Sequence, residues 1–147
     1  MTGRLQDRVA IVTGAGSGIG RSVSIALLKV GYSVAIASRR KETLEETASL
    51  AGPDGERALV VPTDVTDPAA VDDLFRTVDS EVGRIDILFN NAGMFPRSAP
   101  PDEVTPDDWS AAVAVNLTGA FLAARAAFRL MKSQSPQGGR IINNGSI

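Results

Sequence analysis

The stretch Val9-Ala10-Ile11-Val12-Thr13-Gly14-Ala15-Gly16-Ser17-Gly18-Ile19-Gly20 constrains this chain more than any other. An apolar run of strand type leads directly into four glycines at alternate positions and then into a helical pattern. Glycines let a backbone turn tightly and let its N–H groups approach a phosphate, while the following helix N-terminus adds the positive end of its dipole. A strand–turn–helix that seats a nucleotide diphosphate is therefore expected. Glycines also collect in ordinary βα turns, and the flanking strand and helix supply the context that separates the two readings.

The spacing selects among nucleotide-binding turns. A P-loop requires lysine and a hydroxyl residue after its last glycine, but Gly20 is followed by Arg21-Ser22. The common G-x-G-x-x-G fingerprint would start at Gly14 and Gly16 and then demand glycine at Ile19. What stands instead is Thr13-Gly14-x-x-x-Gly18-x-Gly20, which resembles the short-chain dehydrogenase/reductase family. That family's longer-chain branch, TGxxGxxG, would put glycine at Ser17 and does not fit.

Strands and helices alternate along the chain. Strands are predicted at Val9–Thr13, Ser33–Ser38, Ala58–Pro62, 85–90 and 140–144. The first helix is expected at Gly18–Lys29, with Ile19, Val23, Leu27 and Val30 at helical spacing and Gly31 ending it. A charged, exposed helix is expected at Lys41–Leu50, closed by the Gly52-Pro53-Asp54-Gly55 turn. Asp67-Pro68 opens a helix through about Val82, and Thr105-Pro106-Asp107-Asp108 opens another reaching about Met131. That last helix is about 40 Å long at roughly 1.5 Å per residue, with Val113, Leu117, Phe121, Ala124, Phe128 and Met131 expected to face the core.

Repeated βα units imply a Rossmann-type α/β fold: a doubly wound parallel sheet in three layers, α/β/α, ending after strand five. With 147 residues, 44% of them hydrophobic, one dinucleotide-binding domain over 1–147 is expected. A net charge of −2 gives no reason to expect nucleic acid or an anionic membrane. Without cysteine or histidine there is no thiolate metal site and no imidazole catalysis, so no metal is expected. The N-terminus lacks the apolar segment of a secretory signal, and no apolar run approaches the ~20 residues of a bilayer span. A cytoplasmic location follows as an expectation.

Ligands of such sheets bind beyond the carboxyl ends of the strands, so the residues there matter most. After strand two stand Ser38-Arg39-Arg40, where a site for NAD normally offers a carboxylate to the ribose hydroxyls. A guanidinium matches a 2′-phosphate in charge and fork geometry. NADP(H) is therefore preferred over NAD(H), with Arg39 as the main contact and Ser38 assisting. Both arginines could instead simply start an exposed helix. After strand three, Asp64 could accept a bond from an adenine amino group while Val65 covers the ring. Asp64 could equally be a turn or capping residue.

The family resemblance extends these readings. Asp64-Val65 matches the family's Asp-Val pair, and Asn90-Asn91-Ala92-Gly93 looks like its Asn-Asn-Ala-Gly element. It implies that Gly14, Ser17, Gly18, Ile19, Gly20, Ser38, Arg39, Asp64, Val65, Asn91, Ala92 and Gly93 bind the cofactor. Asn116 matches the family's helix asparagine, which holds a water in a proton relay; on its own terms it is a buried polar group tying down the helix. Ser146 matches the serine that hydrogen-bonds the reacting oxygen. The resemblance further implies an alcohol or carbonyl substrate and a homo-oligomer, dimer or tetramer, with the long helix at one interface.

The family's Tyr-x-x-x-Lys pair does not occur here. The one tyrosine, Tyr32, has Ile36 four residues on and reads as a packing residue. The chain is therefore expected to be the N-terminal portion of a longer single-domain fold, inactive as it stands. Alternatives are a natural short product that binds nucleotide without turnover, as a module or sensor, and a methyltransferase-like domain. The latter normally wants an acidic residue where Ser38 and Arg39 stand.

Overall fold

Alternation along each strand decides how the layers form. In β1 (Val9–Thr13) all five residues are buried, so both faces of this strand are covered. Val9 and Ile11 point to one side and Ala10 and Val12 to the other, where they join separate cores. This is the signature of a parallel sheet with helices on both faces. The computed structural model describes residues 8–145. Its five strands are all parallel, in the order β3-β2-β1-β4-β5, with β2 at Ser33–Ser38, β3 at Ala58–Pro62, β4 at Ile87–Asn90 and β5 at Arg140–Asn143. The order reverses between β1 and β4, and a crevice opens there.

The helices are α1 (Gly18–Lys29), α2 (Lys41–Leu50), α3 (Pro68–Val82), α4 (Pro106–Val113) and α5 (Ala120–Ser133). One core holds Leu28 of α1, Leu44 of α2 and Tyr32 against Val34 and Ile36; the other holds Leu74 and Val78 of α3 and Ala123 and Ala127 of α5 against Ile11 and Leu88. Tyr32 is thus a packing residue, as its position implies. The ends of α3 follow local chemistry. Asp67 accepts a hydrogen bond from Ala69 N–H at 2.9 Å ahead of Pro68, and Gly83 closes the helix in the left-handed region at φ 70°.

Three expectations about packing need correction. In α1 the buried residues are Gly20, Ser24 and Leu28, whereas Ile19 and Val30 are exposed. The small residues go inward because they let the helix lie close to the glycine turn and the sheet. In α2, expected as a charged, exposed helix, Leu44 and Thr47 form a fully buried inner face. In the long helix, Leu117, Phe121 and Phe128 are 67%, 61% and 64% exposed; Met131 faces the core as expected, but its companions there are Ala123, Ala126 and Ala127. Between α4 and α5 lies a π-helical segment, Ala114–Gly119. Its wider turn takes up an extra residue and changes the facing of α5 relative to α4. The whole stretch Pro106–Ser133 is a 28-residue helical run that is long and apolar enough to cross a bilayer by length and composition, contrary to the expectation that no run approaches that size. Here it forms one layer of the sandwich, packed on β4 and α3 through its small face.

Strand β4 begins two residues later than predicted. Buried Gln134 takes the backbone of Ile85 instead: Ile85 N–H donates to Gln134 Oε1 at 2.9 Å, and Gln134 Nε2 donates to Ile85 O and Gly138 O, both at 2.8 Å. One amide thus fastens the entry of β4 to the end of α5. Beside it, Asp86 accepts from Val9 N–H at 2.8 Å and from Arg84 Nη2 at 2.7 Å. Burial pushes the Asp86 carboxyl up, but Arg84 and the Val9 N–H outweigh it and hold it below the usual carboxylate range.

Gln134→Leu strands two buried backbone groups of Ile85 and should cost about 2–4 kcal/mol, read as a lower midpoint in urea unfolding. Because the Asp86 pKa is lowered on folding, its contribution is complete above the unfolded value near ~3.9 and is lost as pH falls through the folded value. Asp86→Asn should lower stability at neutral pH and flatten the acid limb of a stability–pH curve; an unchanged acid limb would place that titration elsewhere.

Candidate functional site: a nucleotide crevice at the sheet switch point

The crevice beyond the carboxyl ends of the strands has a volume of about 570 Å³. Its walls come from four segments: the glycine turn after β1, the end of β2 with the start of α2, the 63–66 loop after β3, and the 92–94 loop after β4. Ala111, Ala114 and Val115 of the long helix close the far side.

Each glycine of the turn answers a separate demand. Gly14 and Gly18 have φ of 65° and 52°, a region closed to most side chains. Gly16 and Gly20 are needed for space. A Cβ on Gly20 would collide with the Gly14 carbonyl and lie 2.6 Å from Asn91 Nδ2, and one on Gly16 would strike the Thr43 hydroxyl and lie 2.9 Å from Ser38 Oγ. A Cβ on Gly18 would meet nothing within 4 Å. Ser17 is the N-cap of α1, yet its side chain makes no cap hydrogen bond, so its hydroxyl and the first N–H groups of α1 are left for a ligand.

The turn is fastened from behind. Thr47 donates from Oγ1 to Ala15 O at 2.9 Å, and Arg21 donates from Nη2 to Gly16 O at 2.7 Å. Arg21 also donates to Thr47 Oγ1 at 3.1 Å and pairs with Glu46 at 2.6 Å. Holding these carbonyls against α2 leaves the turn's other face for its N–H groups. Arg21, Thr43 and Thr47 are not among the residues expected at the site, and Gly16 is expected only as part of the glycine turn. The i, i+4 spacing of Thr43 and Thr47, opposite an arginine that follows the last glycine, was the available signal.

Thr13 joins β1 to the loop after β4. Its Oγ1 accepts from Asn91 N–H at 2.9 Å and from Ala92 N–H at 3.0 Å, while Asn91 Nδ2 donates to Thr13 O at 3.1 Å. Asn91 Oδ1 accepts from Asn144 Nδ2 at 2.8 Å, extending the tie to the end of β5. Asn91 therefore stands behind the crevice wall, and Ala92 and Gly93 line it.

Arg39 and Arg40 are exposed at the rim, beside Ser38 and Thr43. Across from them, Asp64 Oδ1 accepts from Thr66 N–H at 2.9 Å and from the Thr66 hydroxyl at 2.8 Å. These two bonds, with a smaller attraction from Arg39, hold the Asp64 carboxyl below its ordinary range against a slight opposing effect of burial. Val65, largely buried, lines the crevice next to it.

Of the residues expected to bind cofactor, Gly14, Ser17, Ser38, Arg39, Asp64, Val65, Ala92 and Gly93 line the crevice. Gly18 and Gly20 shape the turn without lining it, and Ile19 is exposed in the first turn of α1. Asn116 sits in the π segment and is exposed rather than buried. Its Oδ1 accepts from Met94 N–H and its Nδ2 donates to Met94 O, both at 2.8 Å, so it ties down the loop after β4. Ser146 lies outside the described residues. No group of side chains among the described residues could hold a metal ion.

The profile of the short chain dehydrogenase family matches residues 8–147. The chain belongs to that family. An uncharacterized oxidoreductase of Staphylococcus aureus (strain USA300) is 40% identical over 143 residues, which are 97% of this chain and 60% of the relative. Among solved structures, NAD+-bound xylitol dehydrogenase superposes with a TM-score of 0.89 at 35% identity, over 95% of this chain and 53% of that one. The 3-ketoacyl-(acyl-carrier-protein) reductase from Brucella melitensis, complexed with NADH, gives 0.86 at 33% identity, over 92% of this chain and 55% of that one. This short-chain dehydrogenase chain thus spans a little over half the length of its relatives.

Gly20→Ala puts a methyl group against the Gly14 carbonyl and the Asn91 amide. It should lower affinity for adenine dinucleotides at least tenfold in calorimetric titration while the far-ultraviolet circular dichroism stays near that of the unaltered chain. Retained affinity would mean that the phosphates bind elsewhere.

Proposed function

We propose that this chain carries the cofactor-binding part of an NADP(H)-dependent oxidoreductase acting on an alcohol or carbonyl substrate. When bound, the cofactor supplies or accepts a hydride at its nicotinamide ring. N–H groups of the glycine turn and the α1 N-terminus hold the diphosphate, aided by the Ser17 hydroxyl. Asp64, whose Oδ1 is already taken by Thr66, accepts the adenine amino group through Oδ2, and Val65 covers the ring. Ala92 and Gly93 allow close approach of a ribose.

The observation that carries the NADP(H) preference is the pair Arg39 and Arg40 at the rim, next to the Ser38 and Thr43 hydroxyls, with no carboxylate at the end of β2. A carboxylate there would accept ribose hydroxyls and repel a phosphate. The solved relatives carry NADH and NAD+, two redox states of one dinucleotide, so the preference for NADP(H) in this chain rests on these side chains alone.

By family resemblance Ser146 orients the reacting oxygen and Asn116 supports a proton relay. Asn116 keeps one amide hydrogen and one carbonyl lone pair beyond its Met94 bonds, enough to hold a water. The family's Tyr-x-x-x-Lys pair is not in this sequence, and Tyr32 is buried in the core, so the proposed proton transfer needs a donor that these 147 residues do not supply. A role as a nucleotide-binding module or sensor is the second reading. The exposed Leu117, Phe121 and Phe128 on the long helix support a homo-oligomer, dimer or tetramer, built on that face. A cytoplasmic location belongs to the same proposal.

Arg39→Asp tests the assignment. Loss of a charge-assisted contact of about 1.5–3 kcal/mol corresponds to a roughly 10- to 150-fold weaker affinity for NADP(H), with NAD(H) affinity held or improved. An unchanged ratio of the two dissociation constants would remove Arg39 from cofactor selection.

A further inference from the structure

Gly119 is buried at the end of the π segment, with φ −61° and ψ −42° that any residue can adopt. Glycine is the poorest helix former apart from proline, so backbone preference argues against it here. Space argues for it. A Cβ at this position would lie 2.8 Å from Val65 Cγ2, 3.1 Å from Val65 Cβ and 3.1 Å from Val65 O. Carbon atoms pack best at about 3.5–4.0 Å, so an alanine must push the 63–66 loop outward.

The same short stretch of helix is gripped at two further points. Asn116 holds Met94 by both of its amide groups, and Ala120 O accepts from Asn90 Nδ2 at 2.7 Å. Asn90 Nδ2 also reaches Asn143 Oδ1 of β5 at 3.2 Å. Within residues 114–120 the helix therefore meets the loop after β3, the chain after β4 and the last residue of β4, which in turn reaches β5.

We propose that Gly119 is a positioning residue: its missing side chain sets Val65 at the depth required to cover an adenine ring, and so locks the adenine end of the crevice to the helix that carries Asn116. This rests on the cofactor reading given above. Gly119 touches no ligand itself and acts through Val65.

The test is calorimetric titration of the full chain with ADP and with 2′,5′-ADP, comparing the unaltered protein, Gly119→Ala, Val65→Ala and the double variant, each with its melting temperature. Gly119→Ala should weaken both probes at least tenfold. Val65→Ala should weaken them a few-fold through lost ring cover. The double variant should bind like Val65→Ala alone, because the atom nearest the new methyl group is gone; general damage to the helix would not be rescued in this way. If Gly119→Ala does not fold, a double variant that folds and binds like Val65→Ala supports the proposal, and one that also fails to fold overturns it. Gly119→Ala with a raised melting temperature and unchanged affinity overturns it, as does a loss that Val65→Ala fails to rescue. An unaltered chain with no affinity for either probe overturns the cofactor reading and this inference together, whereas intact binding with an indifferent Gly119→Ala overturns this inference alone.

Discussion

The joint between Thr13 and Asn91 holds the site together. At the switch point, β1 and β4 are neighbours in the sheet, but their outgoing chains depart to opposite faces. A crevice forms at such a point, and nothing in the sheet ladder itself fixes the separation of its two walls. Here the hydroxyl of Thr13 accepts two successive N–H groups of the 91–92 loop while the Asn91 amide returns a bond to the Thr13 carbonyl. Thr13 is fully buried, so these bonds form away from water and each unmade one would leave a buried polar group unpaired. Gly20 packs against this joint from the helix side, and Asn144 extends it to β5. The glycine turn is therefore one part of a braced corner.

The opposite wall is braced differently. The glycine turn rests on α2 through Arg21 and Thr47, and α2 begins directly after Arg39 and Arg40. The distance between the glycine turn, the proposed seat of the diphosphate, and the rim arginines is thus held by Thr47 and by Arg21, whose reach spans from Gly16 O to Glu46. An anion that needs both seats at once, such as a dinucleotide carrying a 2′-phosphate, gains from having that distance fixed beforehand, because ordering costs are then met on folding rather than on binding.

Much of this was legible in the sequence, and the reasons for the successes and failures are physical. The boundaries of β1, α1, β2, α2, β3 and α3 could be read closely because local signals set them: glycine at each change of direction, Asp67-Pro68 at a helix start, unbroken apolar runs in strands covered on both faces. The start of β4 could not, because a glutamine 49 residues away in sequence claims the backbone of Ile85. The inward face of the long helix was misjudged because size, not only polarity, decides what packs on a sheet. Alanines permit close approach, and the larger Leu117, Phe121 and Phe128 were left outside. In the site, the residues that line the crevice stood in recognisable pattern positions. The residues that brace it, Arg21 and Thr47, hold carbonyls through tertiary contacts, marked in the sequence only by the i, i+4 spacing of Thr43 and Thr47 and by an arginine after the last glycine.

The π segment links these two kinds of information. A π turn is less favourable than the α-helix it interrupts and persists where surrounding contacts over-determine it. Ala114–Gly119 has such contacts at both ends: the Asn116 amide clasps the backbone of Met94, and the bare Cα of Gly119 lies against Val65. A regular helix would place one of these residues about a third of a turn away from its partner, since each added residue rotates the chain by about 100° at 3.6 residues per turn. The helix can therefore serve the loops after β3 and β4 together only by widening. One local departure from regular geometry thus accounts for the contacts by which a single helix shapes two walls of the crevice.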